Sequence, residues 1–510
     1  MFYMNHDIAS SRIEMVSSVF QSLRHSPVQS AHYLDTYAPM QSIDIDVIIP
    51  VHDAAETLED SISSALNQTV PKHLRRVFEN IDISIAVCCH DDGSTDSSLR
   101  ILRSMKDRHG KSEKTDKHGI EAHLLIGSNP DGVARGAGFA RNRATELRRN
   151  KISSENSFIC LLDSDDIMSP SRVAEQLAMM LSIVDKGERD RTLIGSTFDR
   201  IPENSTWHYS QWANGLTDER LMLERFRECT VLQPTWFLTR KRFEELGGYI
   251  EAPHPEENAT EGKMPDYQRP KQLSLIHPYE DNAQTLRLAE DLRFFHEHLY
   301  ASGLIKLHRH KPPNSPLVTY RHTGQSQSSS TPRKLLSALR AMAFEATVLK
   351  IDPQWSDGFV IWGAGRDGKH FFRSLSPGVR SRVKCFVDVD EKKISAGFYT
   401  NRELGTKVPI IHFSLLSTNP DARHDSQTFG RIDKSRGGNK RDEKLGEADE
   451  ETEHTKKKRR LYSPGLKMII PSLATLPVVV CVAMYRTHGI LEKNVKSIGR
   501  IEGKNLWHFS

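Results

Sequence analysis

Four near-continuous apolar runs, three of them closed by a cluster of carboxylates or their partners, constrain this chain more than any other feature. IDVIIPV (45–51) ends in HDAAE, ISIAVCC (83–89) ends in HDDGSTD, HLLIG (123–127) leads towards a glycine-rich stretch, and SFICLLDSDD (157–166) ends in carboxylates. Short runs of this kind read as strands buried on both faces. Between them, TLEDSISSALNQTV places Leu58, Ile62, Ala65 and Leu66 at helical spacing, and SSLRILRSM and GAGFARNRATEL also read as helices. Strand–helix alternation predicts an α/β fold with a mostly parallel, Rossmann-like sheet and helices on both faces. Ligands of such sheets gather outside the carboxyl ends of the strands. The polar clusters fall there.

The chain has 510 residues, room for about three domains or two with insertions. A loose lead-in covers 1–42. A first domain spans 43–350, with a polar insertion at about 250–286, a polar tail at 318–334 and a helix at 335–349. A second α/β domain spans 355–510, and the composition of about 417–466 predicts a disordered insertion. Lys plus Arg number 70 against 66 Asp plus Glu, a net charge of +4. That balance gives no support to a nucleic-acid partner. Six cysteines without CxxC or zinc spacing read as buried small hydrophobes. No run is long enough for a membrane span, and the first residues do not pattern as a signal peptide. The expected location is cytoplasmic. KKKRR (456–460) offers a nuclear alternative but reads first as a solvated charge run.

DSDD carries the clearest chemistry. Mn²⁺ or Mg²⁺ takes oxygen ligands, commonly one or two carboxylates plus substrate phosphates. Asp163 and Asp165 alternate at the end of the strand 157–166, and its period of two places them on one face, with Asp166 beside them. The competing reading is a loop of turn-forming Asp and Ser. DDGSTD on another strand end adds weight to the metal.

Taken in order, IDVIIPVHDAAETLEDSISSALNQT, DDGSTDSS, GVARGAGFARNRA and FICLLDSDD resemble a family 2 glycosyltransferase of the GT-A fold. QPTWFLTRKRFEELGGY (233–249) and AEDLRFF (289–295) extend the match over about 44–330. The resemblance implies inverting, metal-dependent transfer of one sugar from a UDP-sugar donor to an acceptor hydroxyl, the acceptor being unidentified. It assigns Pro50, Val51 and Asp53 to the nucleotide, Asp91 or Asp92 to the uracil ring, and Arg141 and Asn142 to the diphosphate pocket. Asp163 and Asp165 become the DxD motif, with Asp165 the direct metal ligand. Asp291, after Glu290, becomes the catalytic base. Asp281 also follows a glutamate, Glu280, and stays open as an alternative base. An N-cap role is the structural alternative for the Glu290–Asp291 pair. The QxxRW signature of processive synthases is absent, which favours single-sugar transfer. The alternative from another class is a catalytically idle nucleotide-sugar-binding scaffold or sensor.

In the second domain, FVIWGAGRDGKHFFRSL places Gly363, Gly365 and Gly368 at GxGxxG spacing between a strand and a helix, and Asp388 ends the next strand. This is the context of a dinucleotide fingerprint, with the glycines at a pyrophosphate and the acid at a ribose. A tight glycine turn that binds nothing is the other reading. No neighbouring residue offers hydride chemistry, which disfavours an oxidoreductase. The pairing of a family 2 domain with WGAGRDGKHFFRSL, CFVDVDEKKISAGFY, VPIIHF and a terminal EGKNLWHFS resembles the β-1,3-N-acetylglucosaminyltransferase-like protein 1 group, whose name implies N-acetylglucosamine transfer.

Overall fold

A computed structural model describes residues 42–109, 113–114, 120–148, 156–203, 205–251, 286–310, 315–322, 331–417, 473–483 and 489–509. The lead-in, nearly all of both expected insertions, KKKRR and Asp281 lie outside these residues. The chain divides into two compact units. The first comprises 1–218, 231–274 and 280–330, and the second 219–230, 275–279 and 331–510.

The strands of the first unit are β1 (Ser42–Val51), β2 (Asp82–Asp91), β3 (Glu113–Lys114), β4 (Ile120–Ser128), β5 (Ser157–Leu161), β6 (Ile167–Met168), β7 (Thr192–Ser196), β8 (Phe198–Ile201), β9 (Phe237–Thr239), β10 (Leu304–His308) and β11 (Val318–Arg321). Eight of them form one sheet in the order β10-β7-β9-β5-β1-β2-β4-β3. The run β5-β1-β2-β4 is parallel throughout. It is built from the four apolar segments of the sequence, because only strands covered on both faces can be apolar on both. Antiparallel pairing enters at β9, between β5 and β7. Helices α1 (Leu58–Leu66), α2 (Ser98–His109), α3 (Ala137–Glu146), α4 (Arg172–Leu181), α5 (Arg240–Glu245) and α6 (Glu290–Tyr300) accompany the sheet. Leu58, Ile62, Ala65 and Leu66 of α1 all enter the core, as their spacing requires.

Two expectations are corrected. The fourth strand stops at Leu161, so the DSDD carboxylates sit on a turn beyond it, closed by the Asp166 amide donating to the Asp163 carbonyl at 3.1 Å. The turn, rather than a strand period, gathers them. Residues 318–321 of the expected polar tail form β11, paired to both β6 and β8 in a small second sheet. Its period of two is short and flanked by polar residues, so sequence alone shows little of it.

One buried polar cluster braces the sheet core. Asp46 of β1 is fully buried and accepts from Arg240 and from Arg148, the latter at 3.3 Å. Arg148 also reaches Ser84 Oγ at 2.7 Å and pairs with Asp44. Removing the shared carboxylate strands a guanidinium that is itself 1% exposed. Asp46→Ala therefore destabilises the first unit by about 3–5 kcal/mol, the usual cost of breaking a buried pair from one side. A urea midpoint equal to wild type contradicts this.

The second unit contains β12 (Phe359–Trp362), β13 (Val383–Asp388), β14 (Phe398–Asn401), β15 (Thr406–His412), β16 (Val478–Val480) and β17 (Leu506–His508), ordered β14-β15-β13-β12-β16-β17. All neighbours are parallel except the edge strand β14. Helix α7 (Arg333–Phe344) belongs here, not to the first domain as the boundary at 350 implied. Its Phe344 packs edge-on against Phe371 and Trp355 at 5.9 and 5.7 Å. No helix among the described residues is long and apolar enough to cross a membrane.

Candidate active site

The carboxyl ends of β1, β2 and β5 lie side by side in register, and the loops that leave them are bonded to one another. After β1 the chain turns at Asp53, whose φ of 46° is left-handed. The Asp53 Oδ1 accepts from the amides of Thr95 and Asp96 at 2.7 and 3.2 Å, while the Ala55 amide donates to Asp96 Oδ2 at 2.9 Å. This reciprocal brace locks HDAA onto DGSTD. Val51 is buried, and its carbonyl accepts from the Asp92 amide at 2.8 Å. Pro50 is likewise buried. Of the three residues assigned to the nucleotide at this strand end, only Asp53 keeps an exposed side chain.

Asp91 and Asp92, left open by the sequence, differ sharply. Both Asp92 oxygens are engaged: the amides of Arg135 and Gly136 donate at 2.9 and 2.6 Å and Asn129 Nδ2 at 2.7 Å. Asp92 thus anchors the glycine-rich loop ahead of α3. Asp91 accepts from the Ser94 amide on Oδ2 at 3.3 Å, whereas its buried Oδ1 has no partner. A buried acceptor without a donor is costly, so Asp91 is the one suited to a ligand N–H.

Arg141 of α3 joins two acidic segments far apart in sequence. It is 3% exposed and donates to Asp163 Oδ1 at 2.6 Å and to Glu290 Oε1 at 2.8 Å. Burial pulls its pKa down, but the Asp163 and Glu290 carboxylates and nearby Tyr249 outweigh this and raise it. A methyl group on Gly138 would stand 3.3 Å from Glu290 Cβ and 3.2 Å from Tyr249 Cβ, so glycine there lets the start of α6 approach α3. Asn142, next to Arg141, serves the scaffold. Its amide donates to the Tyr249 carbonyl at 2.9 Å and to Glu251 at 2.7 Å, and its Oδ1 accepts from the Tyr249 amide at 2.9 Å.

The DSDD turn is pinned from α1. Ser61 Oγ donates within 2.8 Å of the Ser164 carbonyl and 2.6 Å of the Asp166 carbonyl, and Thr57 Oγ1 reaches the Ser164 carbonyl at 3.0 Å. Oxygens of Asp163, Asp165 and Asp166 lie within 4.8 Å of one another. Asp166 accepts from the Arg321 amide at 2.9 Å, but its Oδ2 is buried without a partner. Three carboxylates this close, one with an orphaned buried oxygen, fit a hard divalent cation. Burial first, then the Asp163 charge, pushes the Asp165 carboxyl up to about 6. Burial and both neighbours raise Asp166 as well.

A pH dependence follows. With a raised folded-state pKa, the ionised Asp165 is the disfavoured form, so the cation-free protein loses stability as pH rises from the ordinary carboxylate range through about 6. A cation needs the ionised form. Mn²⁺ affinity is expected to fall by at least about tenfold per pH unit below about 6, as protons on Asp165 and on the likewise raised Asp166 displace the ion. A titration giving the same affinity at about pH 5 and pH 7 contradicts it.

Glu290 and Asp291 occupy the first turn of α6, while Ala289, with φ 54°, is the N-cap. Asp291 is therefore inside the helix, not capping it. Its Oδ1 accepts from the Leu292 amide at 2.7 Å. Glu290 is committed to Arg141, which leaves the two acids with different duties. Tyr320 and Arg321 of β11 also belong to the site and were not singled out from the sequence. The three aspartates and burial push the Tyr320 hydroxyl up to about 12, burial being the larger cause. The alternation in VTYR was the only signal for them.

In the second unit Gly363 has φ 110°, and a methyl group on Gly368 would lie 1.9 Å from the Gly363 carbonyl oxygen, so both glycines are required by the turn itself. Asp388 Oδ2 accepts from the Ala364 amide at 2.8 Å and from Lys393 Nζ at 3.0 Å.

Residues 46–247 match the family described as Glycosyl transferase family 2. Among curated relatives, chondroitin synthase of Pasteurella multocida is 27% identical over 129 residues, covering 25% of this chain and 10% of that protein. A UDP-Glc:alpha-D-GlcNAc-diphosphoundecaprenol beta-1,3-glucosyltransferase of Escherichia coli is 28% identical over 137 residues, 27% of this chain and 41% of that one. The chain thus spans well under half the length of these relatives. The solved structure of S. aureus TarS residues 1–349 with UDP-GlcNAc aligns at 13% identity over 66% of this chain and 72% of that one, with a TM-score of 0.36.

Proposed function

We propose that this family 2 domain transfers a single sugar, with inversion, from a UDP-sugar to an acceptor hydroxyl. One observation carries the reading. Arg141 holds Asp163 of the DSDD turn and Glu290 of α6 on one guanidinium, so the DSDD acidic cluster and a second acidic pair share one strand-end site. N-acetylglucosamine is the proposed donor sugar, on the resemblance of most of the chain outside its polar insertions to the N-acetylglucosaminyltransferase-like group.

Each residue then has a task. The unpaired Asp91 Oδ1 accepts the imide N–H of the uracil ring. Asp163, Asp165 and Asp166 would hold a divalent cation, which when bound supplies positive charge against the leaving diphosphate. Arg141 fixes the position of Asp163 and keeps Glu290 from serving as a base. Asp291 takes the proton of the acceptor hydroxyl. The hydroxyl oxygen forms the new bond to the anomeric carbon from the face opposite the donor's diphosphate. The old bond breaks, and its electron pair leaves with UDP. No covalent bond to the protein is needed, and the configuration inverts. Intact carboxylates at all four positions favour catalysis over an idle sugar-nucleotide sensor.

A thermal-shift screen of UDP-sugars with and without Mn²⁺ tests donor recognition. UDP-N-acetylglucosamine is expected to raise the melting temperature only with Mn²⁺ present. A shift independent of Mn²⁺, or none with any UDP-sugar, contradicts the proposed site.

A further inference from the structure

The second unit has its own cavity, which glycosyl transfer does not use. Its strands β15-β13-β12-β16-β17 read 3-2-1-4-5 in order of appearance, the order of a doubly wound nucleotide-binding sheet. The strands stay parallel, but the order in which they are added reverses between β12 and β16, and in such sheets the ligand crevice opens at that switch point. A cavity of about 310 Å³ lies there, between the glycine turn after β12, the end of β13 and the segment after β16.

Three features of its walls define a ligand. Helices α8 (Arg366–Ser374) and α9 (Ile490–Ser497) both start at the cavity, and the N-cap of α8, Gly365, offers no side-chain cap to its first amides. At the start of α8, the Arg366 guanidinium is 59% exposed, with its Nε donating to Asp367 Oδ1 at 3.0 Å. Val389 and Ile490, also in the lining, are 51% and 65% exposed, so two large apolar side chains stand at the cavity. Asp388 and Asp390 also line the cavity. Both Asp388 oxygens are taken, Oδ1 by the amides of Val389 and Asp390 and Oδ2 by the Ala364 amide and Lys393, whereas Asp390 Oδ2 lies 3.7 Å from Lys393. Apolar lips suit a flat base, the Asp390 carboxylate suits a ribose hydroxyl, and an uncapped helix start with an arginine suits a phosphate.

We propose that this cavity binds a nucleoside monophosphate, either free or as one half of a larger nucleotide. The base lies between Val389 and Ile490, and the phosphate sits on the first turn of α8 beside Arg366. The volume is at the lower end of the range for ligand pockets, roughly 300–1,000 Å³, so it encloses one nucleotide rather than two. The proposal does not depend on the sugar-transfer reading, because no residue is shared.

Gly365 provides a clean test. Its φ of −85° is open to any residue, and the nearest atom to an added Cβ is Lys393 Nζ at 3.9 Å. Valine there keeps the fold and fills the cavity. Titrations of the full chain with AMP and with UMP, free of divalent cation, are expected to show one site. Gly365→Val should weaken it by at least about tenfold, the scale of a single lost contact set. Asp165→Ala should leave it unchanged. Arg366→Glu should weaken AMP but leave adenosine unaffected, which separates a lost phosphate contact from a disturbed fold. The proposal is overturned if neither nucleotide binds up to millimolar concentration, if Gly365→Val binds as wild type does, or if binding disappears with Asp165 instead.

Discussion

Asp291→Asn is expected to lower kcat by about 10²–10⁴ while leaving UDP-sugar affinity within a factor of about two, because general base catalysis is worth that much and an amide cannot take a proton. The substitution keeps shape, and the Asn oxygen can still accept the 2.7 Å bond from the Leu292 amide that Asp291 accepts. The start of α6 therefore stays in place. Glu290→Gln probes the neighbouring acid by contrast. It removes the charge that holds Arg141 Nη1, so its effect should appear in donor binding more than in the pH profile of kcat. If Asp291→Asn retains near-normal kcat, the base is another residue, and Asp281 is the next to test.

Asp165→Ala is expected to abolish Mn²⁺-dependent donor binding and to cut turnover by at least about a hundredfold, since charge stabilisation of the leaving group is worth several kcal/mol. The fold should survive. The turn is held by Ser61 and Thr57 on the Ser164 and Asp166 carbonyls, and none of these bonds uses the Asp165 side chain. Burial and the Asp163 charge already disfavour the ionised Asp165, so the cation-free variant should melt no lower than wild type at neutral pH. UDP binding with unchanged Mn²⁺ dependence in this variant is incompatible with the acidic cluster as the metal site.

The sheet was legible because its central strands are apolar on both faces, a pattern no solvent-facing strand carries. The gathering of the carboxylate clusters at the carboxyl ends of β1, β2 and β5 followed from the same strands. Two things escaped for physical reasons. The Asp163–Asp166 grouping comes from a turn, and turn geometry leaves no periodic trace, so Asp166 looked like a neighbour when it is a member with an orphaned oxygen. The division of labour among paired acids depends on distant partners. Asp92 is spent on amides forty-odd positions later in the chain, so Asp91 and Asp92 read as equivalent until the contacts are seen; Glu290 is likewise spent on an arginine of α3 that no local pattern links to it. Asn142 and Val51 illustrate the converse. They sit within motifs assigned to the nucleotide, but their hydrogen bonds and burial tie them to the scaffold.

The central claim is that the first unit catalyses sugar transfer rather than merely holding a sugar nucleotide. Release of UDP by the purified full chain, from a panel of UDP-sugars with Mn²⁺, measures it most directly, because water can replace the acceptor slowly when none is supplied. UDP should be released from at least one donor, UDP-N-acetylglucosamine first among them. The release should stop on chelation of the metal and in Asp291→Asn. Mn²⁺-dependent binding of a UDP-sugar, with no UDP released from any member of the panel in the presence of candidate carbohydrate acceptors, would contradict it.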